Sequence, residues 1–402
     1  MKNSSSDNVV SQRAFQPWPS FTQEEVDAVG RVLLSNKVNY WTGDEGRFFE
    51  KEFAQFSHSQ FAIALANGTV ALDLALIALG IGAGDEVIVT PRTFLASVSC
   101  IVNVGAVPVF ADVDLDSQNI SAESIRDVLT PKTRAIICVH LAGWPCEMDA
   151  ILALANAKGL YVIEDCAQAH GALYKGQSVG SWGHVAAWSF CQDKIITTGG
   201  EGGMLTTNDA LLWEKAWAYK DHGKSFDAVY NKEHPSGFRW LHESFGTNWR
   251  LTEMQSAIGR IQLRRMPEWH QKRKNNALAL LSAFQPFIDK GLVRVPLPAS
   301  HVEHAYYKFY VFVEPLALKA SWSRDRILHE FSQCGLPCFQ GSCSEVYLEK
   351  AFDNTEFRPK QRLPNAKQLG ETSLMFVVHP SLDDAAIKVM QDSIFSVFER
   401  VR

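Results

Sequence analysis

Phe61-Ala62-Ile63-Ala64-Leu65-Ala66-Asn67-Gly68-Thr69 is the stretch that decides the fold of this 402-residue chain. Its first six residues are apolar, which is typical of a buried strand, and the pattern from Thr69 to Leu79 predicts a helix. Asn67 is a favourable N-cap, and Gly68 lets the backbone approach a bound group closely. Free amides at a helix start, with a hydroxyl beside them, form a phosphate cup. The same residues also fit an ordinary strand-to-helix turn.

The alternation of short apolar runs and amphipathic stretches continues along the chain. Further buried strands are predicted over 86–89, 108–113, 135–140 and 160–164, and helices over 93–104, 122–129 and 148–158. Strands that alternate with helices predict an α/β fold, with a mostly parallel central sheet flanked by helices.

After Gly203 the rhythm changes. The pattern predicts one or two helices over 256–284, a strand over 306–313, and helices over 324–331 and 385–401. We therefore expect a flexible N-terminal segment (1–20), a large domain (21–255) and a smaller α+β C-terminal domain (256–402).

The composition is that of an ordinary globular protein, with 46% hydrophobic and 21% charged residues and a net charge of -5. No basic stripe for nucleic acid is present, and no apolar run reaches the roughly 18 residues of a membrane span. The eight cysteines are scattered, mostly in apolar runs, which favours reduced thiols in a cytoplasmic enzyme. The tightest group, Cys334, Cys338 and Cys343, lacks a matching His or Cys pair, so no metal site is expected.

Ser189-Phe190-Cys191-Gln192-Asp193-Lys194 joins an apolar run to a glycine-dense segment that ends at Gly203. A lysine amine held at such a place can attack an aldehyde and form a Schiff base. Most lysines are exposed, so Lys194 alone is a weak candidate. If the apolar run is a strand, the Ser189 hydroxyl faces away from Phe190 and can join Thr69 at the phosphate cup.

Two more strand ends carry candidates, and ligands of open α/β sheets gather at the carboxyl ends of strands. Asp165 follows a strongly apolar strand, and a buried carboxylate requires a partner. A protonated pyridine nitrogen is one such partner, with Gln168 then near a ring hydroxyl; a helix cap is the alternative. Phe94 follows another strand, where its ring either covers a flat heterocycle or packs in the core.

In this order the segments resemble the DegT/DnrJ/EryC1/StrS family of sugar aminotransferases, which are fold type I pyridoxal-phosphate (PLP) enzymes. The resemblance extends from about Trp41 to the C-terminus. Its motifs are residues 66–72, 84–89, 93–94, 105–112, 164–171, 189–190, 194, 200–203 and 248–255.

The resemblance implies a role for each candidate. Lys194 would form the Schiff base with PLP and act as the catalytic base and acid. Asp165 would pair with the pyridine nitrogen, Gln168 would contact the ring hydroxyl, and Phe94 would stack on the ring.

The phosphate of the cofactor has its own predicted set. By the same resemblance, Gly68, Thr69 and Ser189 would hold it. Asn248 would reach the phosphate of the neighbouring subunit, which implies a homodimer with shared active sites.

The implied reaction moves an amino group from L-glutamate to a nucleotide-linked ketosugar, with pyridoxamine phosphate (PMP) as the intermediate form of the cofactor. We expect C4 of a 4-keto-6-deoxyhexose as acceptor, for surface polysaccharide (O-antigen) or glycan biosynthesis. The alternatives are C3 amination of a 3-ketosugar and PMP-dependent sugar dehydration. In dehydrating relatives the lysine is replaced, so Lys194 argues against that reaction. A regulator without chemistry would have lost Lys194, Asp165 or the cup.

Overall fold

The computed structural model describes residues 15–401. Its α-helices are α1 (Gln23–Leu34), α2 (Glu45–Phe56), α3 (Gly68–Ala78), α4 (Ala96–Asn103), α5 (Ala122–Asp127), α6 (Met148–Lys158), α7 (Ala210–Tyr219), α8 (Phe226–Tyr230), α9 (Glu253–Ile288), α10 (Arg324–Gln333), α11 (Pro364–Thr372) and α12 (Asp384–Val401). Short 3-10 helices cover Leu141–Gly143, Pro315–Ala317, Val346–Leu348 and Lys350–Phe352.

The strands of the described chain form a large sheet and two smaller ones. They are β1 (Phe61–Leu65), β2 (Glu86–Val89), β3 (Val107–Phe110), β4 (Thr133–Val139), β5 (Tyr161–Asp165), β6 (Leu173–Tyr174), β7 (Gln177–Ser178), β8 (Val185–Ser189), β9 (Gly203–Thr207), β10 (Val293–Arg294), β11 (Val302–Glu303), β12 (Phe309–Val313), β13 (Cys338–Phe339) and β14 (Ser373–Phe376).

A seven-stranded sheet in the order β1-β9-β8-β5-β4-β2-β3 carries the site. β3, β2, β4, β5 and β8 pair in parallel, whereas β9 is antiparallel to both of its neighbours. The predicted α/β fold with a mostly parallel central sheet is confirmed. The predicted helix over 93–104 begins only at Ala96, because residues 90–95 form the turn that brings Thr93 and Phe94 to the sheet edge.

The inserted strand β9 was not predicted, and a glycine makes it possible. Gly203 pairs with Leu65 on one side and with Ser189 on the other. A Cβ atom on Gly203 would lie 2.3 Å from the carbonyl oxygen of Asn67. The glycine therefore allows the ends of β1 and β8 to approach each other closely.

The second sheet is antiparallel, in the order β10-β12-β14-β13, and packs on α9, α10 and α12. The predicted one or two helices over 256–284 are the single 36-residue helix α9. Its first part packs with Leu263 and Met266 on the core below the large sheet, and its last part packs with Phe284 in the smaller core. The predicted domain boundary at residue 255 falls within the first turn of α9. The division into two domains stays a prediction.

The chain before α1 is described only in part. Residues 1–14 of the predicted flexible segment lie outside the described residues. Phe15 packs on the core of the smaller sheet, and Trp18 packs on the core that holds Phe190. In residues 15–401 no helix has both the length and the apolar character needed to cross a membrane.

Candidate active site

The start of α3 forms a cradle with the end of β8. The Asn67 side chain accepts a hydrogen bond of 3.0 Å from the amide of Val70, which confirms the predicted N-cap. The amides of Gly68 and Thr69 have no partner inside the helix, as is general for a first turn. A Cβ atom on Gly68 would lie 2.6 Å from the Cβ of Ser189, so the two residues are in direct contact.

Ser189 has a hydroxyl that can donate into this cradle. The side chain is 7% exposed, and its Oγ accepts a hydrogen bond of 3.3 Å from the amide of Cys191. Its own proton remains available. The structure thus brings Gly68, Thr69 and Ser189 together at one helix N-terminus, where an anion is favoured.

Lys194 lies in the turn that follows β8. Its amide donates to the carbonyl of Cys191 at 3.1 Å, and its own carbonyl accepts the indole N–H of Trp18 at 2.8 Å. The amine lies 5.3 Å from the centroid of the Tyr307 ring. The backbone of this lysine is therefore held at two points while the side chain reaches an aromatic wall.

Tyr307 and Asp193 border the Lys194 amine. Neither was predicted as a site residue from the sequence. The Tyr307 hydroxyl donates to Asp193 Oδ2 at 2.5 Å. Burial works to raise the pKa of Asp193, but the Lys194 charge and the Tyr307 hydroxyl bring it below its usual range. Burial, followed by the Asp193 charge, holds the pKa of Tyr307 well above its usual value. Asp193 is thus an anion beside the Lys194 amine.

Asp165 is a buried carboxylate with neutral partners. It is 6% exposed; Oδ2 accepts the hydroxyl of Ser97 at 2.7 Å, and Oδ1 accepts the amide of Ala167 at 3.1 Å. The helix-cap alternative is wrong, because residues 166–172 form turns rather than a helix and the bond to Ala167 lies within a turn. Ser97 is in turn linked to Thr93, with 2.8 Å between the two hydroxyl oxygens. Among residues 15–401 Asp165 forms no ion pair, and a cation beside it would compensate its charge.

The neighbouring carboxylate, Glu164, is fully engaged. It accepts backbone amides of Gly180, Trp182 and Gly183 at 2.7, 2.9 and 2.7 Å and contacts His140 Nε2 at 3.0 Å. Cys166 lies close to the same pair. Because these hydrogen bonds occupy the Glu164 carboxylate, we assign it to the scaffold.

Gln168 and Phe94 have free groups beside Asp165. Gln168 Oε1 accepts the amide of Ala142 at 2.7 Å, which leaves the amide NH₂ of its side chain available as a donor. Phe94 is 71% exposed, so the core-packing alternative for its ring is wrong. An exposed ring at the carboxyl edge of the sheet can cover a flat ligand.

Asn248 lies in a segment that pairs with the end of β1, since the amide of Ala66 donates to the carbonyl of Trp249 at 2.9 Å. The backbone of Asn248 pairs with Asp221, and its side-chain oxygen accepts the amide of Arg250 at 3.5 Å. Arg250 forms an ion pair of 2.6 Å with Asp221. Within residues 15–401, Asn248 forms no side-chain hydrogen bond to the other predicted site residues.

The collected residues fit PLP. A cradle that a Cβ would fill, with free amides and a hydroxyl, suits a phosphate. The buried Asp165, with no cation of its own, suits a protonated pyridine nitrogen, and the Lys194 amine suits an aldehyde. Of the groups involved, Ser97, Tyr307 and Trp18 were missed, because each contacts the site from a distant part of the chain.

Comparison with known proteins identifies the family that the sequence resembles. The sequence profile of the DegT/DnrJ/EryC1/StrS aminotransferase family matches residues 19–395. An X-ray structure of the aminotransferase from Psychrobacter cryohalolentis is 64% identical, covers 96% of this chain and 99% of that chain, and has a TM-score of 0.95. GDP-perosamine synthase of Escherichia coli O157:H7 is 35% identical over 379 residues, 94% of this chain and 96% of the relative. The dTDP-3-amino-3,4,6-trideoxy-alpha-D-glucose transaminase of Streptomyces venezuelae is 33% identical over 374 residues, 93% and 92%.

Proposed function

Because this chain belongs to the DegT/DnrJ/EryC1/StrS aminotransferase family and is a PLP-dependent sugar aminotransferase, we propose that it takes its amino group from L-glutamate. We propose as acceptor the C4 carbon of a nucleotide-linked 4-keto-6-deoxyhexose, whose product enters surface polysaccharide or glycan biosynthesis. The observation that carries the proposal is that Lys194 follows β8, whose last residue Ser189 contacts Gly68 in the phosphate cradle, with its amine 5.3 Å from the Tyr307 ring centroid.

The contacts support the following residue roles. Lys194 would hold the cofactor, and Asp165 would pair with its ring nitrogen. Gln168 would donate its free NH₂ to the ring oxygen, and Phe94 would cover the ring. The available donors of Gly68, Thr69 and Ser189 support the binding of the phosphate at the helix start.

Bound PLP supplies an electron sink for the carbon that loses its proton. The Asp165 carboxylate, fixed by Ser97, would favour a protonated ring nitrogen. The Lys194 amine would serve as the base whenever it is not bound to the cofactor. It removes the proton from the α carbon of glutamate and later returns a proton to the sugar carbon that receives the nitrogen.

We further propose a homodimer with shared sites. Asn248 is exposed, and its one side-chain hydrogen bond in the described chain is to the amide of Arg250, so its side chain is accessible to a second subunit. Phe245 is 100% exposed and Trp240 is 82% exposed, and such side chains are typical of surfaces that are covered in an assembly. They lie in segment 224–245, which is rich in aromatic residues.

We also propose a cytoplasmic location. All eight cysteines are free thiols, which is typical of proteins in reducing compartments.

C3 amination of a 3-ketosugar is the second candidate. It is supported by the name of the Streptomyces venezuelae relative, which is a 3-amino sugar transaminase. Lys194, which is replaced in dehydrating relatives, disfavours PMP-dependent dehydration.

The experiment is an assay of the purified protein with L-glutamate and a panel of nucleotide-linked 3- and 4-ketosugars, with product analysis by NMR. We expect 2-oxoglutarate and a 4-amino sugar. A 3-amino product would replace the C4 assignment by the second candidate. If no ketosugar gives 2-oxoglutarate, the proposed donor and acceptor are both wrong.

A further inference from the structure

A second lysine amine lies on the ring that borders Lys194. Lys308 directly precedes β12, and its amine lies 4.7 Å from the centroid of the Tyr307 ring. The Lys194 amine lies 5.3 Å from the same centroid. The two amines therefore contact the same aromatic ring, and their separation cannot exceed the sum of these two distances.

The charges around Lys308 do not balance. Among residues 15–401 the amine of Lys308 forms no ion pair, and Asp193 is the carboxylate whose charge favours its protonation. Asp193 already accepts the Tyr307 hydroxyl and faces Lys194. Burial, and then the charges of Arg273 and Lys194, lower the pKa of Lys308 to about 8 against the opposing effect of Asp193.

Arg273 adds a third positive charge. It is 1% exposed, and its Nη1 donates to the carbonyls of Tyr306 and Tyr307 at 3.4 Å each. Its Nε and Nη2 have no partner in the described chain. Lys194 and Lys308 thus share one carboxylate, that of Asp193. The nearby Arg273 adds charge with two unpartnered nitrogen atoms, and buried charge without a counterion is costly. A bound anion would lower that cost.

The space beside the Lys308 side chain is small, about 30 Å³, which is room for one water-sized group such as a single carboxylate oxygen. A cavity there is lined by Gln118, Trp144, His304, Tyr306, Lys308 and Tyr310. Trp144 follows β4 and Gln118 follows β3, so the cavity opens at the carboxyl edge of the large sheet, where substrates are expected. The tyrosine, tryptophan and glutamine side chains supply donors and apolar walls, and no carboxylate other than that of Asp116 lines it.

We propose that Lys308 binds an oxyanion of the substrate beside Lys194, and specifically a carboxylate of the amino donor. This inference rests on the proposed function. The carboxylate is favoured over a sugar-nucleotide phosphate because the α-carboxylate is attached to the carbon from which Lys194 takes the proton. The phosphates are several bonds from the reacting sugar carbon. Lys308 thereby becomes a residue that holds the α-carboxylate of the amino donor beside Lys194.

The test is the variant Lys308→Met, which removes the charge and keeps the length of the side chain. The two half-reactions are titrated separately by the visible absorbance of the cofactor: the PLP form with L-glutamate, and the PMP form with the ketosugar. We expect the apparent Kd for glutamate to rise about tenfold or more, the effect of losing one charged contact. The Kd for the ketosugar should change less than about twofold, within the range of remote surface substitutions.

Two variants serve as controls. Lys308→Arg keeps the charge and should retain most of the affinity for glutamate. Lys274→Met removes an exposed lysine next to Arg273 and should leave both titrations unchanged. The melting temperature and near-UV circular dichroism of each variant report whether it is folded.

Calorimetric titration with succinate and with inorganic phosphate separates this inference from the proposed function. Suppose that the wild type transfers no amino group from glutamate but binds succinate, and that Lys308→Met does not bind succinate. The assignment of glutamate as donor then fails, and the anion site at Lys308 stands. A selective loss of ketosugar and phosphate binding would identify a phosphate as the oxyanion and overturn the donor assignment of the site. Unchanged binding of every anion in a folded Lys308→Met protein would overturn the proposal.

Discussion

The indole N–H of Trp18 donates a hydrogen bond of 2.8 Å to the backbone carbonyl of Lys194, 176 positions later in the chain. The Trp18 ring also packs edge-on against Trp269, with 5.0 Å between centroids, and lies 5.1 Å from the guanidinium of Arg273. The segment before α1 thus fixes the backbone of the proposed cofactor lysine.

Trp18→Phe should keep the packing and remove this hydrogen bond. Since a typical hydrogen bond contributes about 0.5–1.5 kcal/mol, we expect kcat to fall by up to about tenfold. We also expect a shift in the pH at which the visible absorbance of the cofactor titrates, because the Lys194 amine is less firmly placed. Trp269→Phe removes the neighbouring indole and should leave the titration unchanged. Equal titrations for wild type and Trp18→Phe would show that Trp18 only packs.

Gly68→Ala should weaken the binding of PLP, because the added Cβ would lie 2.6 Å from the Cβ of Ser189. Overpacking costs about 1–3 kcal/mol, which corresponds to a loss in affinity of about fivefold or more. Gly30→Ala is the control, because a Cβ at Gly30 in α1 meets nothing within 4 Å. It should leave the affinity unchanged and stabilise the helix by about 0.5–1 kcal/mol. Fluorescence titration of the apoprotein with PLP measures both, and equal affinities for wild type and Gly68→Ala would contradict the cradle.

Asp165 and Glu164 are adjacent carboxylates with different proposed tasks. Asp165→Asn should lower kcat by at least about 10²-fold, the scale on which a fixed electrostatic contact acts, while the fold persists. Glu164→Gln should instead lower the free energy of unfolding by about 1–3 kcal/mol, because an amide NH₂ cannot accept the backbone amides that the carboxylate accepts. Urea titrations and steady-state rates separate the two effects. Comparable loss of kcat in both folded variants would contradict the division.

His170 predicts how stability depends on pH. It is fully buried, neither ring nitrogen has a partner in the described chain, and burial, with the charges of Lys194 and Arg273, lowers its pKa to about 3. Below pH about 6.5 the unfolded chain binds a proton that the folded chain does not. The contribution of His170 is therefore complete above that pH and is lost as the pH falls, by up to about 1.4 kcal/mol per pH unit.

His304 and His379, whose pKa values burial also lowers to about 3, act in the same direction. The measurement is the free energy of unfolding between pH 4.5 and 7.5 for wild type and His170→Leu. The variant should show a shallower slope below pH about 6.5, by roughly one proton. Identical slopes would mean that His170 is protonated in the folded protein.

Subunit mixing tests the shared site. Lys194→Ala and Asn248→Ala should each be nearly inactive alone. After exchange of subunits the mixture should regain about a quarter of the wild-type activity, because half of the random two-fold dimers carry one intact site. Wild-type subunits treated in the same way provide the reference. A mixture as inactive as its parents would show that Asn248 serves its own chain.

The sequence predicted the parts of the site that follow single strands. The Asn67 cap, the cradle glycine and Asp165 were visible because a strand end followed by a helix start has a local signal. The Phe94 ring was left open between core and ligand, since its apolar character favours both, and only the fold shows that it is exposed.

The contacts that tune the site had no local signal. Ser97 reaches Asp165 across 68 positions, and Tyr307 reaches Asp193 across 114 positions. Such pairs depend on how α4 and the segment before β12 dock on the sheet edge, and periodicity does not report this docking. The strand β9 was missed for the same reason. It pairs with β1 and β8, which are far apart in the sequence.

The most direct test of the account is to locate the lysine that carries the cofactor. Borohydride reduces the Schiff base of the PLP-loaded protein to a stable secondary amine, and peptide mass spectrometry then identifies the labelled residue. Lys220 and Lys308 are the rival amines, since burial lowers both of their pKa values to about 8. We predict the phosphopyridoxyl label on Lys194. A label on Lys220, Lys308 or any other lysine, with Lys194 unmodified, would contradict the account.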